Sequence, residues 1–294
     1  AEIFGDKALV QCIQRRCVQR LTALDHGVCL ALKLGKHRLA VDGSLEIFEV
    51  LIQQGQAGCG SLVLFCQQVL NELMQSYQDD FKKYHEKVPV GLLKDVLRSV
   101  ALQGQGKFVY AQVDTACRTP QIKEALNMLC MAGLVYSVVH TDSNGIPLFA
   151  EAKEKYKRYI FMDTGLLQRM LELDLTDILV SNDLRLVNRG ALAETFVGTE
   201  LVKNHSPYQN DNLYCWHREK KDSNAEVDYV ISCRGVIYPI EVKSGVRGSM
   251  QSLRIFLETK HLEKGIRTSL ENFGAYEDIL VYPLYGIGNV CGEM

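Results

Sequence analysis

The sequence predicts an α/β protein in which a mainly helical first part is followed by a domain built on a mixed sheet. Three observations lead to this prediction. Along the first 85 residues, apolar side chains recur at spacings of three and four, which is typical of amphipathic helices. Beyond residue 106, short apolar runs of strand length appear. Helical segments alternate with those runs, as they do in α/β domains.

The composition is that of an ordinary globular protein. Of 294 residues, 47% are hydrophobic and 23% are charged, enough for cores in two or three domains. The net charge of −2 gives no global attraction to nucleic acid, so DNA binding would depend on local patches. The longest nearly apolar run, Leu126–Val139, is too short to span a bilayer. We therefore expect a cytoplasmic protein with no membrane partner, whose ten cysteines are reduced.

The first segment, residues 1–85, is predicted to be helical. The expected helices are Lys7–Leu24, Leu45–Gln54 and Ser61–Tyr84. A glycine-rich stretch, Gly55–Gly60, separates the last two. The composition of this segment indicates no particular chemistry.

Residues 86–157 are predicted to form a winged-helix-like domain. The expected elements are helix Gly91–Leu102, an extended stretch Lys107–Val113, helix Thr119–Ala132, and strands Leu134–His140 and Ile146–Phe149. Two helices and a hairpin are the plan of a winged helix. The second helix offers few basic residues to a groove, which favours packing against neighbours over sequence-specific DNA binding. A nearby basic cluster is expected to lie on a solvated helix face: Lys153, Lys155, Lys157 and Arg158.

Residues 158–294 are predicted to form the α/β domain. After a connecting strand and helix over Tyr159–Leu173, the expected elements are helix Gly190–Asn204, strands Leu213–Arg218, Glu226–Ile231 and Val236–Lys243, helix Ser249–His261 and strand Asp278–Pro283. A tight turn at Cys233–Gly235 connects the second and third strands.

Charged residues interrupt two of these otherwise apolar strands. Alternation places Glu226 and Asp228 on one face, with Val227, Tyr229 and Ile231 on the other. In the same way, Glu241 and Lys243 share a face. If the tight turn pairs the strands, Asp228, Glu241 and Lys243 converge on one patch.

This patch has a chemical use. Two carboxylates hold a hard divalent cation, and an ammonium group positions water and screens developing negative charge. Those are the requirements for hydrolysing a phosphodiester. The helix Gly190–Asn204 supplies a third acid, but helical periodicity does not choose between Glu194 and Glu200.

The order Gly190-x-x-x-Glu194, Asp228, Glu241-Val242-Lys243 resembles the PD-(D/E)xK nuclease superfamily. The resemblance implies a restriction-endonuclease-like fold for residues 158–294. It also implies that Glu194, Asp228 and Glu241 bind Mg²⁺ or Mn²⁺ and that Lys243 assists the attacking water. Val227 stands where the superfamily motif has proline.

A second resemblance covers more of the chain, from about residue 75 to the end. The sequence is similar to the carboxy-terminal, uncharacterised domain of the predicted AAA+ ATPase family of bacteria and archaea. The stretches that carry this similarity are YQDDF (77–81), KFVYAQV (107–113), ALNMLCMAGLVYSVV (125–139), FMDTGLL (161–167), GALAETFVGTEL (190–201), EVDYVI (226–231), PIEVKSG (239–245) and YPLYGIG (282–288).

The chain departs from that family in one respect. It contains no G-x-x-x-x-G-K-[ST] motif, so we expect neither an ATP site nor ATPase activity from these residues. Either the ATPase part has been lost or this is a fragment, with residues 1–70 as a remnant of the ATPase lid helices.

The sequence leaves more than one function open. The first is a metal-dependent nuclease with DNA as its substrate. The second is a catalytically inactive domain of the same fold that binds DNA. The third is a module that works through protein partners or self-association.

Overall fold

The computed structural model describes residues 59–173, 189–204, 212–218, 224–245 and 248–293. The predicted helices Lys7–Leu24 and Leu45–Gln54 lie outside the described residues. The chain divides into two compact units, one of residues 1–76 with 172–184 and one of residues 77–171 with 185–294. The second is called the sheet unit below, and it contains the strands and the candidate site.

The described residues form seven α-helices. These are α1 (Cys59–Asp80), α2 (Val90–Gln103), α3 (Thr119–Met131), α4 (Thr164–Met170), α5 (Arg189–Asn204), α6 (Gln251–Lys260) and α7 (Val290–Glu293). The predicted helices that fall on described residues are confirmed, with shifts of a few residues at their ends. A 3₁₀ turn, Phe81–Tyr84, follows α1 where the prediction continues the helix.

Local sequence explains how α2 and α3 form. Leu93, Val96, Leu97 and Val100 recur at helical spacing in α2, and all four are buried. Proline is tolerated in the first turn of a helix, and α3 begins Thr-Pro. The Gln121 side chain accepts a hydrogen bond of 3.0 Å from the backbone N–H of Arg118, which satisfies a donor at the start of α3.

Eight strands form one mixed sheet, in the order β2-β1-β3-β4-β5-β6-β8-β7. Their bounds are β1 Val135–Thr141, β2 Ala152–Phe161, β3 Leu213–Arg218, β4 Ala225–Cys233, β5 Val236–Val242, β6 Gly265–Ser269, β7 Gly274–Tyr276 and β8 Ile279–Pro283. The pairs β1–β3, β5–β6 and β6–β8 are parallel, and the others are antiparallel. The predicted mixed α/β class is confirmed, and β2 runs across the predicted domain boundary at residue 157.

Within residues 86–157, one predicted strand is wrong, and the stretch predicted to be extended contains a turn. Residues 107–113 contain a 3₁₀ turn, Tyr110–Gln112, and the Phe108 N–H donates a single bond to the Lys157 oxygen instead of building a ladder. Residues 146–149 lead into another 3₁₀ turn, Leu148–Glu151, because Pro147 has no N–H to donate to a partner strand. The hairpin partner of β1 is β2, which is further along the chain.

The sequence patterns did not reveal β6 or β7. In β6, all five residues from Gly265 to Ser269 are buried, and the strand lies between two parallel neighbours. Such a strand shows no alternation between apolar and polar residues, and Arg267 further hides it. The three residues of β7 are exposed at the sheet edge.

Helices α5 and α6 cover opposite faces of the sheet. The Tyr229 hydroxyl donates a hydrogen bond of 2.7 Å to the backbone oxygen of Glu194 in α5. The next residue, Val230, packs in a buried cluster with Phe256 of α6. Successive residues of a strand point to opposite faces, so the two helices enclose β4 between them.

One expectation about the cysteines is wrong. Cys233, at the end of β4, forms a disulfide with Cys291 in α7, and their Cα atoms are 5.5 Å apart. The pair is separated by 58 residues in sequence. A 3₁₀ segment, Leu284–Asn289, packs against the end of α5 and leads into α7. Cys66, Cys117, Cys130 and Cys215 are free.

In the part of the chain that the structure describes, no helix combines the length and the apolar character needed to cross a bilayer.

Candidate functional site

The four residues singled out by the sequence come from three neighbouring elements of the sheet unit. Glu194 lies on α5 with 5% of its surface exposed, and Glu241 lies on β5 with 7% exposed. Asp228 lies on β4, and Lys243 directly follows β5. The last paired residues of β4 and β5 are Tyr229 and Ile240, which are the sequence neighbours of Asp228 and Glu241. The structure thus brings the two strand acids together at the point where the ladder stops.

A β-bulge changes which side chains of β4 face α5. Asp228 and Tyr229 together lie opposite Cys215 of β3, because the register shifts at this point. As a result, Val227 packs in the cluster under α6, while the Tyr229 hydroxyl bonds to the Glu194 oxygen above the other face. The predicted alternation, which placed Val227 and Tyr229 on one face, is wrong because of this extra residue.

A buried arginine links the helix acid to the strand acid. The Arg158 guanidinium forms an ion pair with Glu194, and its Nη1 lies 3.7 Å from Oδ1 of Asp228. Its other terminal nitrogen donates to the backbone oxygen of Asp228. The guanidinium carbon lies 4.7 Å from the centre of the Tyr229 ring, close enough for a cation–π contact.

The prediction for the basic cluster around Arg158 is wrong. Lys153, Lys155, Lys157 and Arg158 lie on strand β2 and not on a solvated helix. Lys153 and Lys155 are exposed, but only 2% of Arg158 is exposed. The sequence offered one usable signal: Arg158 is followed by Tyr159, Ile160 and Phe161, which read as the buried end of a strand.

Glu194 has a second partner from outside its own helix. The amide nitrogen of Gln105, in the loop after α2, donates to Oε1 of Glu194. Gly190 makes room for this contact, because a Cβ atom at that position would clash with the Gln105 amide. Gly104 likewise lets the loop approach, since a Cβ there would lie 2.7 Å from Cβ of Ala191. The glycine in Gly190-x-x-x-Glu194 therefore has a packing reason.

The two strand acids have different hydrogen-bond partners. Oδ2 of Asp228 accepts a bond of 2.7 Å from the Val242 N–H. Oε1 of Glu241 accepts a bond of 2.6 Å from the Lys243 ammonium, whose side chain is 23% exposed. Oε2 of Glu241 is buried and has no hydrogen-bond partner. Among the three acids, this is the fully buried carboxylate oxygen that lacks a hydrogen bond.

Burial and mutual repulsion raise the pKa of all three acids. Burial, reinforced by the charge of Asp228, raises the pKa of Glu194 to about 8, although Arg158 opposes the shift. Burial and Asp228 likewise raise the pKa of Glu241 to about 7, and Lys243 opposes this. Burial also raises the pKa of Asp228, against the effect of Arg158 and the Val242 N–H.

A fourth acid borders the cluster. Glu226 of β4 accepts a bond of 3.1 Å from the Tyr156 hydroxyl, and its charge raises the pKa of Asp228 and Glu241 further. The Tyr156 ring stacks on His217, with 4.4 Å between ring centres. The acidic patch thus continues into an aromatic surface on β2 and β3.

The raised pKa values predict that the stability of the metal-free protein depends on pH. Between about pH 4.5 and pH 8 the folded protein binds more protons than the unfolded chain, because folding raises the pKa of Glu194 and Glu241. Stability from these groups is present below the unfolded pKa and is lost as the pH rises through the folded pKa. In EDTA, we expect the free energy of unfolding to fall by an amount on the order of a few kcal/mol from pH 5.5 to pH 8.5.

Urea unfolding at several pH values measures this slope. Glu241→Gln should flatten it, whereas the same substitution at the exposed Glu263 should leave it unchanged. A free energy of unfolding that rises from pH 5.5 to pH 8.5 would contradict the prediction.

The three acids do not form a ready-made ligand set. Within the described residues, no group of three or more histidine, cysteine, aspartate or glutamate side chains could hold a metal ion. Both oxygens of Glu194 are engaged, by Arg158 and by Gln105. Of the three predicted ligands, Glu194 on α5 is therefore hydrogen-bonded through both oxygens. Asp228 and Glu241 lie where the pairing of β4 with β5 ends.

Two parts of the chain match family models, each described as a domain of unknown function. Residues 189–286 match DUF4143, and residues 66–177 match DUF8612. DUF4143 is typically the carboxy-terminal domain of proteins associated with AAA ATPases, and at that coarser level the match agrees with the resemblance seen in the sequence. Comparisons with curated proteins and with solved structures found no match.

The candidate site is shared between the two matched segments. Its acids and Lys243 lie within residues 189–286, whereas Arg158 and Gln105 lie within residues 66–177. Residues of the first matched segment thus contact acids that belong to the second.

Proposed function

We propose that the sheet unit is a divalent-cation-dependent phosphodiesterase of the PD-(D/E)xK nuclease type, which acts on DNA with Mg²⁺ or Mn²⁺. The observation that carries this proposal is the pair Asp228 and Glu241 at the end of the β4–β5 ladder, where the buried Oε2 of Glu241 has no partner. A buried carboxylate oxygen without a partner is costly, and a cation would satisfy it. The placement of Glu194 on helix α5, followed by Asp228 and Glu241 on the adjacent strands β4 and β5, supports the proposal, because the resemblance has the acids in that order.

The charge balance also fits a divalent ion. Four acids interact with one another in the cluster: Glu194, Glu226, Asp228 and Glu241. Two cations oppose them, Arg158 and Lys243. When every group is ionised, four negative and two positive charges leave an excess of two negative charges, which one divalent ion neutralises.

Each residue of the site has a role in this proposal. Asp228 and Glu241 would hold the ion, and Glu194 is the third ligand of the sequence-based hypothesis. A bound divalent ion supplies charge stabilisation at a phosphoryl oxygen and lowers the pKa of water. The ammonium group of Lys243 is held beside Glu241 and is partly exposed, so it can orient a water molecule and offset charge on the phosphate.

Cleavage assays on single-stranded and branched DNA test the proposal. We expect cutting that requires Mg²⁺ or Mn²⁺ and that falls by at least about 100-fold in Asp228→Asn, because the site then loses a charge that balances the ion. Lys243→Met should also reduce cutting, because the ammonium group then no longer offsets charge on the phosphate.

Glu263→Gln and Lys264→Met serve as matched controls, since both residues are exposed. Each should keep the activity of the unmodified protein. If DNA stays intact with either ion and calorimetry detects no binding of Mn²⁺, the nuclease proposal fails.

A second candidate function is a catalytically inactive module of the same fold. The ion pair between Arg158 and Glu194 favours it, because a protein cation already neutralises the helix acid. In that case the sheet unit, which includes the predicted winged-helix-like residues 86–157, would bind DNA, a protein partner or a second copy. Salt-dependent DNA binding without cleavage would support this candidate over the first.

A further inference from the structure

Each oxygen of the Glu194 carboxylate has a hydrogen-bond partner from another part of the chain. Arg158 donates to one of its oxygens and Gln105 to the other. Arg158 is 2% exposed and Glu194 is 5% exposed, so water does not compete for these bonds. As a ligand for a metal ion, Glu194 would have to hold the cation directly beside the positive charge of Arg158.

Arg158 is also fixed against Asp228. Its Nη1 lies 3.7 Å from Oδ1 of Asp228, and its other terminal nitrogen bonds to the backbone oxygen of the same residue. The ring of Tyr229 lies against the guanidinium. Arginine does not lose its proton in proteins, so this positive charge remains beside the site at every pH at which the protein is folded.

We infer that Arg158 is a built-in competitor of the divalent cation. It keeps Glu194 out of the metal's ligand set, so that Asp228 and Glu241 alone hold the ion, and it sets the affinity for that ion. The inference rests on the proposed metal-dependent function of the same site. It also gives residues 66–177 a role, because the competitor and Gln105 both come from that segment.

The physical consequence is a weakened site. The charge of Arg158 repels a second cation near Asp228, and an ion with two protein carboxylates keeps several water ligands. Removing Arg158 eliminates the repulsion and frees Glu194 at the same time. Affinity for the ion should therefore rise, and most of the gain should depend on Glu194.

Calorimetric titration of the full chain with Mn²⁺ tests this inference. Arg158→Met should bind Mn²⁺ roughly tenfold more tightly than the unmodified protein, or better. Adding Glu194→Gln to that variant should cancel most of the gain. A second readout is the rise in the urea midpoint on adding Mn²⁺, which should be larger in Arg158→Met than in the unmodified protein. Equal or weaker binding by Arg158→Met would overturn the inference.

The double variant guards against loss of folding. It removes both members of the Arg158–Glu194 pair and so should cost less stability than Arg158→Met alone, although Asp228 still loses its cation. If Arg158→Met alone does not fold, the comparison is between Arg158→Met/Glu194→Gln and Glu194→Gln. We expect tighter Mn²⁺ binding in the double variant, because in Glu194→Gln the arginine still faces Asp228. Equal binding by these two variants would overturn the inference.

Failure of the inference and failure of the proposed function are distinguishable. If the unmodified protein neither binds Mn²⁺ nor cleaves DNA while Arg158→Met binds Mn²⁺, the competitor role stands and the proposed activity of the native chain fails. If the unmodified protein binds Mn²⁺ and cleaves DNA while Arg158→Met shows the same affinity, the activity stands and the competitor role fails.

Discussion

Methionine in place of Arg158 is expected to lower the free energy of unfolding of the sheet unit by about 3–5 kcal/mol at pH 8. The substitution leaves the buried Glu194 and the partly buried Asp228 without their cation. Urea unfolding followed by the fluorescence of Trp216, the sole tryptophan in the sequence, measures the change. Trp216 packs edge-on against Phe256 on the α6 face, so its signal reports unfolding of the unit and not a local change at Arg158.

The pH dependence of this loss identifies its cause. Without Arg158, the pKa of Glu194 and Asp228 should rise further, and protonation at pH 5.5 should recover part of the stability. A loss of equal size at pH 5.5 and pH 8 would mean that packing, and not charge, explains the effect. The matched control is Arg254→Met, which removes an exposed ion pair with Glu277 and should change stability by less than about 0.5 kcal/mol.

Alanine in place of Gly198 is expected to destabilise the sheet unit by about 2–4 kcal/mol. Gly198 lies in α5 where the helix contacts the sheet, and a Cβ atom there would lie 2.5 Å from the hydroxyl oxygen of Tyr229. Ile160 could rotate its terminal carbon away, but the Tyr229 ring is rigid and buried. Moving the ring would break its bond to Glu194 and would disturb the surface on which Arg158 packs.

Gly91→Ala is the matched control for this prediction. Gly91 lies in the first turn of α2, and nothing lies within 4 Å of a Cβ atom built there. Because alanine is a better helix former than glycine, Gly91→Ala should be neutral or should stabilise by up to about 1 kcal/mol. A Gly198→Ala variant as stable as Gly91→Ala would show that α5 can move away from the sheet without cost.

Periodicity alone identifies much of the architecture. Apolar spacing predicts helices Gly91–Leu102 and Thr119–Ala132, and the structure contains both with ends shifted by at most one residue. Alternation together with the turn at Cys233–Gly235 predicts that β4 and β5 pair, which places Asp228 near Glu241. These features follow from local backbone preferences and from the side-chain period of a strand, both of which can be read from neighbouring residues.

The hydrogen-bond and ion-pair partners of the acidic residues could not be predicted from local sequence patterns. Arg158 pairs with Glu194 across 36 residues, and Gln105 reaches the same carboxylate across 89. The bulge that turns Tyr229 toward α5 depends on the register of β3 against β4, which no local pattern specifies. The disulfide of Cys233 with Cys291 likewise joins distant segments.

The sequence by itself determined which residues have the chemistry of a metal site and which strands carry them. Only the tertiary structure decided that a buried arginine neutralises one of the three acids and that Glu241 keeps an unsatisfied oxygen. The physical reason is that residue type fixes the charge a side chain can carry, whereas its partners and its exposure to water depend on which distant segments the fold packs against it.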